Sequence, residues 1–374
     1  MRKVRRATGS LLVSAVALCV SAHASVLHAG DLSRIRVAED GRGFSRVATG
    51  EPFVPWGVNY DHDENGRLIE DYWNDEWATV EEDFAEIRAL GANVVRVHLQ
   101  VSRFLASADK ANRESLERLK KLLALAESQG LYLDLTGLGC YHKQDVPAWY
   151  DGLSEEARWK AQEVFWEAVA DACRDSPALF CYDLMNEPVV PGGDRAPGDW
   201  LGPPFGGKHF VQVITLSQGK RERPEIAAEW IKRLAAAIRR HDRQGLITVG
   251  LVDWSLDRPG LTSGFVPEKI APHLDFLSVH IYPQKGKLDE AIETVSLFAS
   301  AGKPVLIEET FPLQCSFEEF SEFVSRSRES SAGWIGFYWG KTREEYRRGK
   351  APVDALMSAW LEFFSTHRPG GVSE

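Results

Sequence analysis

Eight short apolar runs recur along this chain, and they constrain its fold more than any other feature. The runs occupy residues 53–59, 93–99, 131–137, 179–186, 246–252, 275–281, 304–309 and 333–339. Helical segments, with apolar residues every three or four positions, occupy 79–90, 112–129, 161–174, 225–240, 288–300, 316–328 and 353–365. Two of them carry the capping-box pattern, Thr79-x-x-Glu82 and Ser316-x-x-Glu319. Nearly continuous apolar runs of this length predict parallel strands that are buried on both faces.

This alternation predicts an α/β fold, a single (β/α)8 TIM barrel. Eight units is the number that closes a barrel. An open, doubly wound sheet is disfavoured because no glycine-rich phosphate loop follows the first run. Residues 34–48 predict a β-hairpin that turns at Asp40-Gly41 and covers the bottom of the barrel. A long loop after strand four, 189–223, is rich in Gly and Pro and predicts one wall of a cleft.

The first 24 residues have the layout of a cleaved secretory signal. A basic start is followed by a short apolar stretch and then by Ala22-His23-Ala24. The apolar stretch is too short to span a bilayer. We therefore expect cleavage near Ala24, a secreted or periplasmic protein, and one folded domain over residues 25–374.

The charge of the chain limits its partners. The full sequence has a formal net charge of −10, and residues 1–24 hold four basic residues and no acidic one. Residues 25–374 are therefore more acidic still, which argues against nucleic acid and anionic membranes as partners. We expect a monomer that acts on a neutral polysaccharide or oligosaccharide. The twelve tryptophans suit stacking on sugar rings, and they equally suit a hydrophobic core.

No cofactor or metal is predicted. The four cysteines after residue 24 show no zinc-ligand spacing, and Cys173 and Cys181 are the only pair close in sequence. The sequence leaves open whether that pair is bridged, and the state of Cys140 and Cys315. Asp61-His62-Asp63 lacks a His-x-His partner, so we interpret it as an ordinary acidic loop.

Polar residues stand where the predicted strands end. In chain order they are Asn59-Tyr60-Asp61, Arg96 and His98, Asn186-Glu187, Trp254, His280 and Tyr282, Glu308-Glu309, and Tyr338-Trp339. The carboxyl ends of barrel strands form the active face, so the glutamates after strands four and seven should face one opening. Two facing carboxyl groups are what glycosidic-bond hydrolysis requires: one donates a proton to the leaving oxygen, and the other meets the charge on the anomeric carbon.

The neighbouring side chains suit this chemistry. Arg96 is a cation that would hold a nucleophilic carboxylate ionised and oriented. Asn186 is placed to hydrogen-bond a sugar hydroxyl, and Trp339 offers a flat face for a sugar ring. His98 has no assigned role from its position alone, although it lies on the same strand as Arg96.

This arrangement resembles glycoside hydrolase family 5, over about residues 50–365. The motifs that carry the resemblance are Arg96 in VVRVHL, Asn186-Glu187-Pro188, His280-Ile281-Tyr282-Pro283, KPVLIEE at 303–309, and Trp339. The resemblance implies a retaining enzyme with Glu187 as the acid/base. It also implies that a glutamate closing strand seven is the nucleophile, with His280 and Tyr282 as hydrogen-bonding partners of the nucleophile and of the sugar at the cleavage point.

The choice between Glu308 and Glu309 follows from the same resemblance. Mannan-degrading members often have Glu-Glu before an aromatic residue and glycine, with the second glutamate catalytic; here Thr310-Phe311 follows, so the match is partial. We predict Glu309 as the nucleophile. Because side chains alternate along a strand, we expect Glu308 to point the other way into solvent.

The substrate is predicted less sharply than the reaction. Many endoglucanases of the family close strand three with histidine, whereas this chain has Leu135-Thr136-Gly137. β-Mannan is therefore the first expectation and β-1,4-glucan the second, with endo and exo action both open. Trp200 and Trp254 are either substrate platforms or packing residues. The alternatives are a non-catalytic carbohydrate-binding barrel and a metal-dependent hydrolase, which would need a His/Asp ligand set that the strand ends lack.

Overall fold

The computed structural model describes residues 32–60, 66–258 and 261–368. The predicted signal sequence, its cleavage point near Ala24 and the Asp61-His62-Asp63 segment lie outside these ranges. Within them, no helix is both long enough and apolar enough to cross a membrane.

Eight parallel strands close into a barrel. They are β1 Trp56–Asn59, β2 Val94–Gln100, β3 Tyr132–Gly139, β4 Leu179–Asn186, β5 Leu246–Val252, β6 Leu277–His280, β7 Val305–Thr310 and β8 Gly333–Gly336. Each strand pairs with the next in sequence, and β8 pairs with β1. The predicted (β/α)8 fold is therefore confirmed.

The helices surround the barrel. The longer ones are α1 Trp77–Ala89, α2 Arg113–Gln129, α3 Glu155–Cys173, α4 Arg223–Arg239, α5 Leu288–Ala299, α6 Phe317–Ser327 and α7 Pro352–Thr366. Short helices cover Ile69–Tyr72, Val101–Phe104, Ala148–Asp151, Pro267–Ile270 and Arg343–Arg348, and 3-10 turns cover Lys143–Asp145, Asp253–Ser255 and Ala271–His273. Each predicted helix overlaps one of the seven longer helices.

One capping box is confirmed and the other is wrong. The Ser316 hydroxyl accepts from the Glu319 amide, and the Glu319 carboxylate accepts from the Ser316 amide. At Thr79, by contrast, the helix has already begun at Trp77. The Trp77 indole donates to Glu81 (2.6 Å) and lies under Lys121, so this earlier turn is held by side-chain contacts that the pattern did not include.

The first apolar run divides into two strands. Pro52–Phe53 leaves the barrel and pairs antiparallel with Phe44–Arg46, which also pairs with Ile35–Val37. This three-stranded sheet contains the predicted hairpin. The Phe44 ring lies 5.2 Å from that of Phe180 and 5.1 Å from that of Phe276, both near the starts of barrel strands. It therefore covers the bottom of the barrel, as expected.

The long loop after β4 folds back onto its own start. Pro188–Val189 pairs in parallel with Gln212–Val213. Outside this loop, a further short antiparallel pair joins Leu105–Ser107 to Lys110–Ala111, just before α2. Trp200 in the loop is 1 % exposed and donates to the Asp151 carbonyl (3.0 Å), so it is a packing residue. Trp254 remains partly exposed.

The four described cysteines are free, so Cys173 and Cys181 are not bridged.

Candidate active site

The glutamates at the ends of β4 and β7 meet at the mouth of the barrel. One carboxylate oxygen of Glu187, one of Glu309 and a ring nitrogen of His280 all lie within 4.8 Å of one another. The side chains of Glu187 and Glu309 are 17 % and 9 % exposed, so both remain accessible from the cavity. Two residues 122 positions apart are thus brought face to face, as the strand-end pattern predicts.

The backbone at Glu187 adopts an unusual conformation. Its φ of 47° lies in the left-handed region, which a side-chain-bearing residue seldom enters. The Glu187 amide donates to the Gly250 carbonyl (2.9 Å), which ties this turn to β5. Strained backbone persists where the surroundings over-determine it, and it clusters at functional sites. The turn directs the Glu187 carboxylate toward β6 and β7.

Glu309 is held by two donors. Arg96 Nη1 donates to its Oε1 (2.6 Å), and the Tyr282 hydroxyl donates to its Oε2 (2.7 Å). Burial lowers the pKa of Arg96, but the surrounding carboxylates outweigh it and raise that pKa well above its ordinary value. Burial and then the charge of Glu309 raise the pKa of Tyr282 well above its ordinary value. Arg96 therefore stays charged and Tyr282 stays a donor, so both hold the Glu309 carboxylate in place.

His280 stands between the two glutamates. Its Nδ1 lies 3.0 Å from Glu187 Oε1 and 3.5 Å from Glu309 Oε2, while its Nε2 lies 3.4 Å from Glu308 Oε2. Burial lowers the pKa of His280, but the Glu309 charge and hydrogen bonds to Glu187 and Glu308 together raise it to about 10. At neutral pH this side chain is a cation that contacts the carboxylates around it.

Arg96 is hydrogen-bonded to several other polar side chains of the site. Its guanidinium also donates to Asn59 (3.0 Å), Asp183 (2.8 Å) and Asn186 (2.9 Å). The amide nitrogen of Asn186 donates to the Phe210 carbonyl in the long loop (3.1 Å). Asn186 thus lies beside the glutamates with both ends of its amide engaged by protein; its predicted contact with a sugar hydroxyl stays a prediction.

The expectation that Glu308 is solvent-exposed is wrong. Its side chain is fully buried, and its Oε2 lies 3.6 Å from Arg96 Nη2. The pairing of β6 with β7 passes from Val279–Ile307 to His280–Glu309, which leaves Glu308 as an extra residue in β7. A bulge of this kind interrupts the alternation of side chains. Glu308 and Glu309 therefore both reach Arg96.

A second carboxylate cluster lies inside the barrel. Oxygens of Asp134, Asp183 and Glu308 are within 4.8 Å of one another, and all three side chains are fully buried. Burial and repulsion by Glu308 raise the pKa of Asp134 well above its ordinary value and that of Asp183 to about 6. Burial also raises the pKa of Glu308, but Arg96 and His280 outweigh it and lower that pKa. Asp134 is therefore a neutral acid beside an ionised Glu308.

Glycine on β5 leaves room for this cluster. A Cβ at Gly250 would lie 2.9 Å from Glu308 Oε2, 3.0 Å from His280 Nε2 and 3.1 Å from Arg96 Nη2. Any larger residue would force these groups apart. Asp134 and Asp183 were missed as site residues, although an acid inside an apolar strand is itself a signal of a buried polar contact.

Both carboxylate clusters have a spacing that suits a metal ion, but each already faces a cationic side chain. Arg96 contacts Glu309 in the cluster at the barrel mouth and Asp183 in the cluster inside the barrel. His280 lies between the two clusters and contacts Glu308. These cations already offset the carboxylate charge. The donor set therefore fits ion pairing within the protein better than it fits a metal centre.

Two predicted site residues are less accessible than expected. Trp339 is 2 % exposed, and its ring packs edge-on to Tyr60 at 5.8 Å, which leaves little of its face open to a sugar. His98 is 2 % exposed, and its Nδ1 is hydrogen-bonded to the Tyr141 hydroxyl. Their roles in binding a sugar stay predictions.

Aromatic residues just before Trp339 take the exposed position instead. Phe337 and Tyr338, joined by a cis peptide bond, line a cavity of about 470 Å³ together with Glu187, Glu309 and Tyr282. The Phe337 ring lies 6.4 Å from that of Tyr282. The sequence correctly placed an aromatic cluster, residues 337–339, at the end of strand eight. Which of the three faces the cavity depends on the path of the chain after β8.

Comparison with known proteins gives one family. The family model described as cellulase (glycosyl hydrolase family 5) matches residues 48–343. The mannan endo-1,4-beta-mannosidase A of Podospora anserina is 23 % identical over 271 residues, which span 64 % of this chain and 64 % of that protein. The chain thus covers slightly less than two thirds of this relative.

Solved structures share the fold at lower identity. The endo-1,4-beta-mannanase of Rhizomucor miehei has a TM-score of 0.61 at 17 % identity, covering 90 % of this chain and 99 % of that one. The exo-beta-1,4-mannosidase of Opitutaceae bacterium strain TAV5 has a TM-score of 0.60 at 19 % identity, covering 81 % and 55 %. The family match spans most of the chain and includes both strand-end glutamates, and on that basis the chain belongs to glycosyl hydrolase family 5.

Proposed function

We propose that this protein hydrolyses β-glycosidic bonds with retention of configuration, with Glu187 as acid/base and Glu309 as nucleophile. The observation that carries the proposal is the approach of their carboxylate oxygens to within 4.8 Å. Carboxyl groups about 5–5.5 Å apart are close enough for direct attack, whereas inverting enzymes keep them farther apart to admit a water molecule.

The first step forms a covalent intermediate. Glu187 donates its proton to the glycosidic oxygen while an oxygen of Glu309 attacks the anomeric carbon, and the carbon–oxygen bond to the leaving group breaks. Arg96 and Tyr282 hold the Glu309 carboxylate for attack through the 2.6 Å and 2.7 Å hydrogen bonds. These donors fix the nucleophile before the substrate arrives, so little reorganisation is needed.

The second step releases the sugar. Glu187, now ionised, takes a proton from water, and the water oxygen attacks the anomeric carbon and displaces Glu309. Two inversions at one carbon restore the original configuration. His280, 3.0 Å from Glu187 and 3.5 Å from Glu309, offsets the negative charge on whichever carboxylate is ionised.

We propose β-mannan or a related β-1,4-linked oligosaccharide as the first substrate class and β-1,4-glucan as the second. Support comes from the relatives, which carry mannanase and mannosidase names. Both endo- and exo-acting proteins occur among them, so either mode fits this chain. We also propose export after cleavage near Ala24, which N-terminal sequencing of the mature protein would test.

The experiment measures reducing-sugar release on mannan, glucomannan, mixed-linkage glucan and xylan. Glu187→Gln should lower the rate by about 10²–10⁴-fold, the usual contribution of a general acid, and Glu309→Gln by at least as much. Glu329→Gln is the matched control. Glu329 is exposed and lies between α6 and β8, away from the carboxyl ends of the strands, so this variant should retain full activity.

Activity on one polymer that both active-site variants abolish would support the proposal. Binding to a polysaccharide that is equal in all variants, without release of sugar from any polymer, would contradict it and favour a non-catalytic carbohydrate-binding barrel.

A further inference from the structure

The cavity beside the catalytic glutamates is mostly apolar. Fourteen residues line its volume of about 470 Å³, and ten of them have wholly apolar side chains. The four polar members are Glu187, Glu309, Tyr282 and Tyr338. A volume of this size suits a small-molecule ligand. Because both glutamates form part of its wall, whatever occupies it lies next to the bond that is cleaved.

Part of this apolar lining is unusually exposed. Phe205 is 77 % exposed, Leu313 57 % and Val353 55 %. They come from the loop after β4, the loop after β7 and the start of α7, so three distant segments bring them to one place. Among the described residues, seven large apolar side chains are counted as exposed, and these three line the same cavity. Clustered exposed apolar side chains mark a binding surface.

Two of the four polar residues of the cavity are already hydrogen-bonded to neighbours at the strand ends. The Tyr282 hydroxyl donates to Glu309, and Glu309 accepts from Arg96. A sugar ring carries a hydroxyl on most of its carbons, and each hydroxyl that leaves water needs a new partner. Glu187 and the other polar residues of the cavity can supply such partners, whereas the wall formed by Phe205, Leu313 and Val353 cannot.

We infer that the apolar part of the cavity binds an alkyl or aryl aglycone, attached to the sugar through the glycosidic oxygen. The inference rests on the proposed function and specifies the leaving group. Hydrolysis breaks the bond between the anomeric carbon and that oxygen; Glu187 gives its proton to the departing alcohol or phenol, and water supplies the hydroxyl of the released sugar. The sugar contacts the polar residues beside Glu187 and Glu309, and the apolar group contacts the wall formed by Phe205, Leu313 and Val353.

The test is a homologous series of methyl, butyl, hexyl and octyl β-mannosides and β-glucosides, used below their micelle concentrations. Burial of each added methylene should raise kcat/KM by between about twofold and fourfold until the wall is covered. The four polysaccharides are assayed in parallel, and alcohol release is followed directly by gas chromatography.

Three variants assign the effect to the wall. Leu313→Ser and Val353→Ser should each lower the octyl-to-methyl ratio of kcat/KM by about threefold to tenfold, because each replaces apolar contact by a hydroxyl. Val47→Ser is the matched control: Val47 is 53 % exposed and lies beside the sheet at the bottom of the barrel, so this variant should keep the wild-type ratio.

Several results would overturn the inference. A flat alkyl series in an enzyme that cleaves methyl glycosides or polysaccharides would do so and leave the proposed function standing; if oligosaccharides are then cleaved far faster, sugar rings occupy the wall. A flat series together with dimers that Leu313→Ser disrupts would make the wall a contact between two copies. No hydrolysis of any glycoside or polysaccharide would overturn the proposed function and the inference with it.

Discussion

Glu308→Gln should destabilise the barrel strongly, although the substitution keeps the size of the side chain. Glu308 Oε2 lies 3.6 Å from Arg96 Nη2 and 3.4 Å from His280 Nε2. At an effective dielectric constant of 20, each contact corresponds to about 5 kcal/mol of Coulomb attraction, much of which offsets the cost of burying the charges. Removing one partner of a buried ion pair costs about 3–5 kcal/mol of unfolding free energy, and we expect a loss in this range.

Asp134→Asn is the matched control, because it makes the same acid-to-amide change in the same buried cluster. Asp134 is a neutral acid in the folded protein, since burial and the Glu308 charge raise its pKa well above its ordinary value. The amide has nearly the same shape and leaves the Glu308 charge in place. This variant should therefore lose less than about 1 kcal/mol at pH 7.

Urea unfolding at pH 7, followed by circular dichroism, measures both variants against the wild type. We expect a large loss of unfolding free energy for Glu308→Gln and a small one for Asp134→Asn. Equal losses, or a Glu308→Gln protein as stable as the wild type, would show that the charge in this cluster is not carried by Glu308.

Three further predictions concern the groups around Glu309. Tyr282→Phe removes one hydrogen bond to a charged group and should lower kcat/KM about 10–100-fold, while Tyr132→Phe at the bottom of the barrel should not change it. Gly250→Ala should lower both stability and kcat/KM, because its methyl group would crowd the cluster; wild-type kinetics would contradict this. The unfolding free energy that His280 contributes is complete below pH 6.5 and is lost as pH rises toward 10, since its folded pKa is raised to about 10; a His280→Gln protein with the same pH dependence over this window would refute it.

Much of the fold follows from patterns that are local in sequence. The runs 179–186 and 246–252 match β4 and β5 at both ends, since an apolar stretch bounded by polar residues has few other ways to be buried. The first run was extended too far because Pro52–Phe53 pairs outside the barrel, and the sequence alone does not show where a strand changes partners. Local periodicity thus predicts where helices and strands lie more reliably than it predicts which strands pair with each other.

The site was only partly predictable for a similar reason. Strand ends identify Glu187, His280 and Glu309, because the barrel brings those positions together whatever the loops do. Glu308 was misplaced because a bulge in β7 depends on pairing with β6, which lies outside the local sequence. The apolar wall could not be foreseen, since Phe205, Leu313 and Val353 meet only through the paths of separate loops.

The most direct test of the central claim is to trap the covalent intermediate. A 2-deoxy-2-fluoro β-mannosyl fluoride slows both steps but has a good leaving group, so the glycosyl-enzyme should accumulate, and peptide mass spectrometry then locates the sugar. We expect one label per chain, on Glu309, and faster labelling in wild type than in Tyr282→Phe. A label on Glu308, or inversion of configuration in the product of an untrapped substrate, would contradict it.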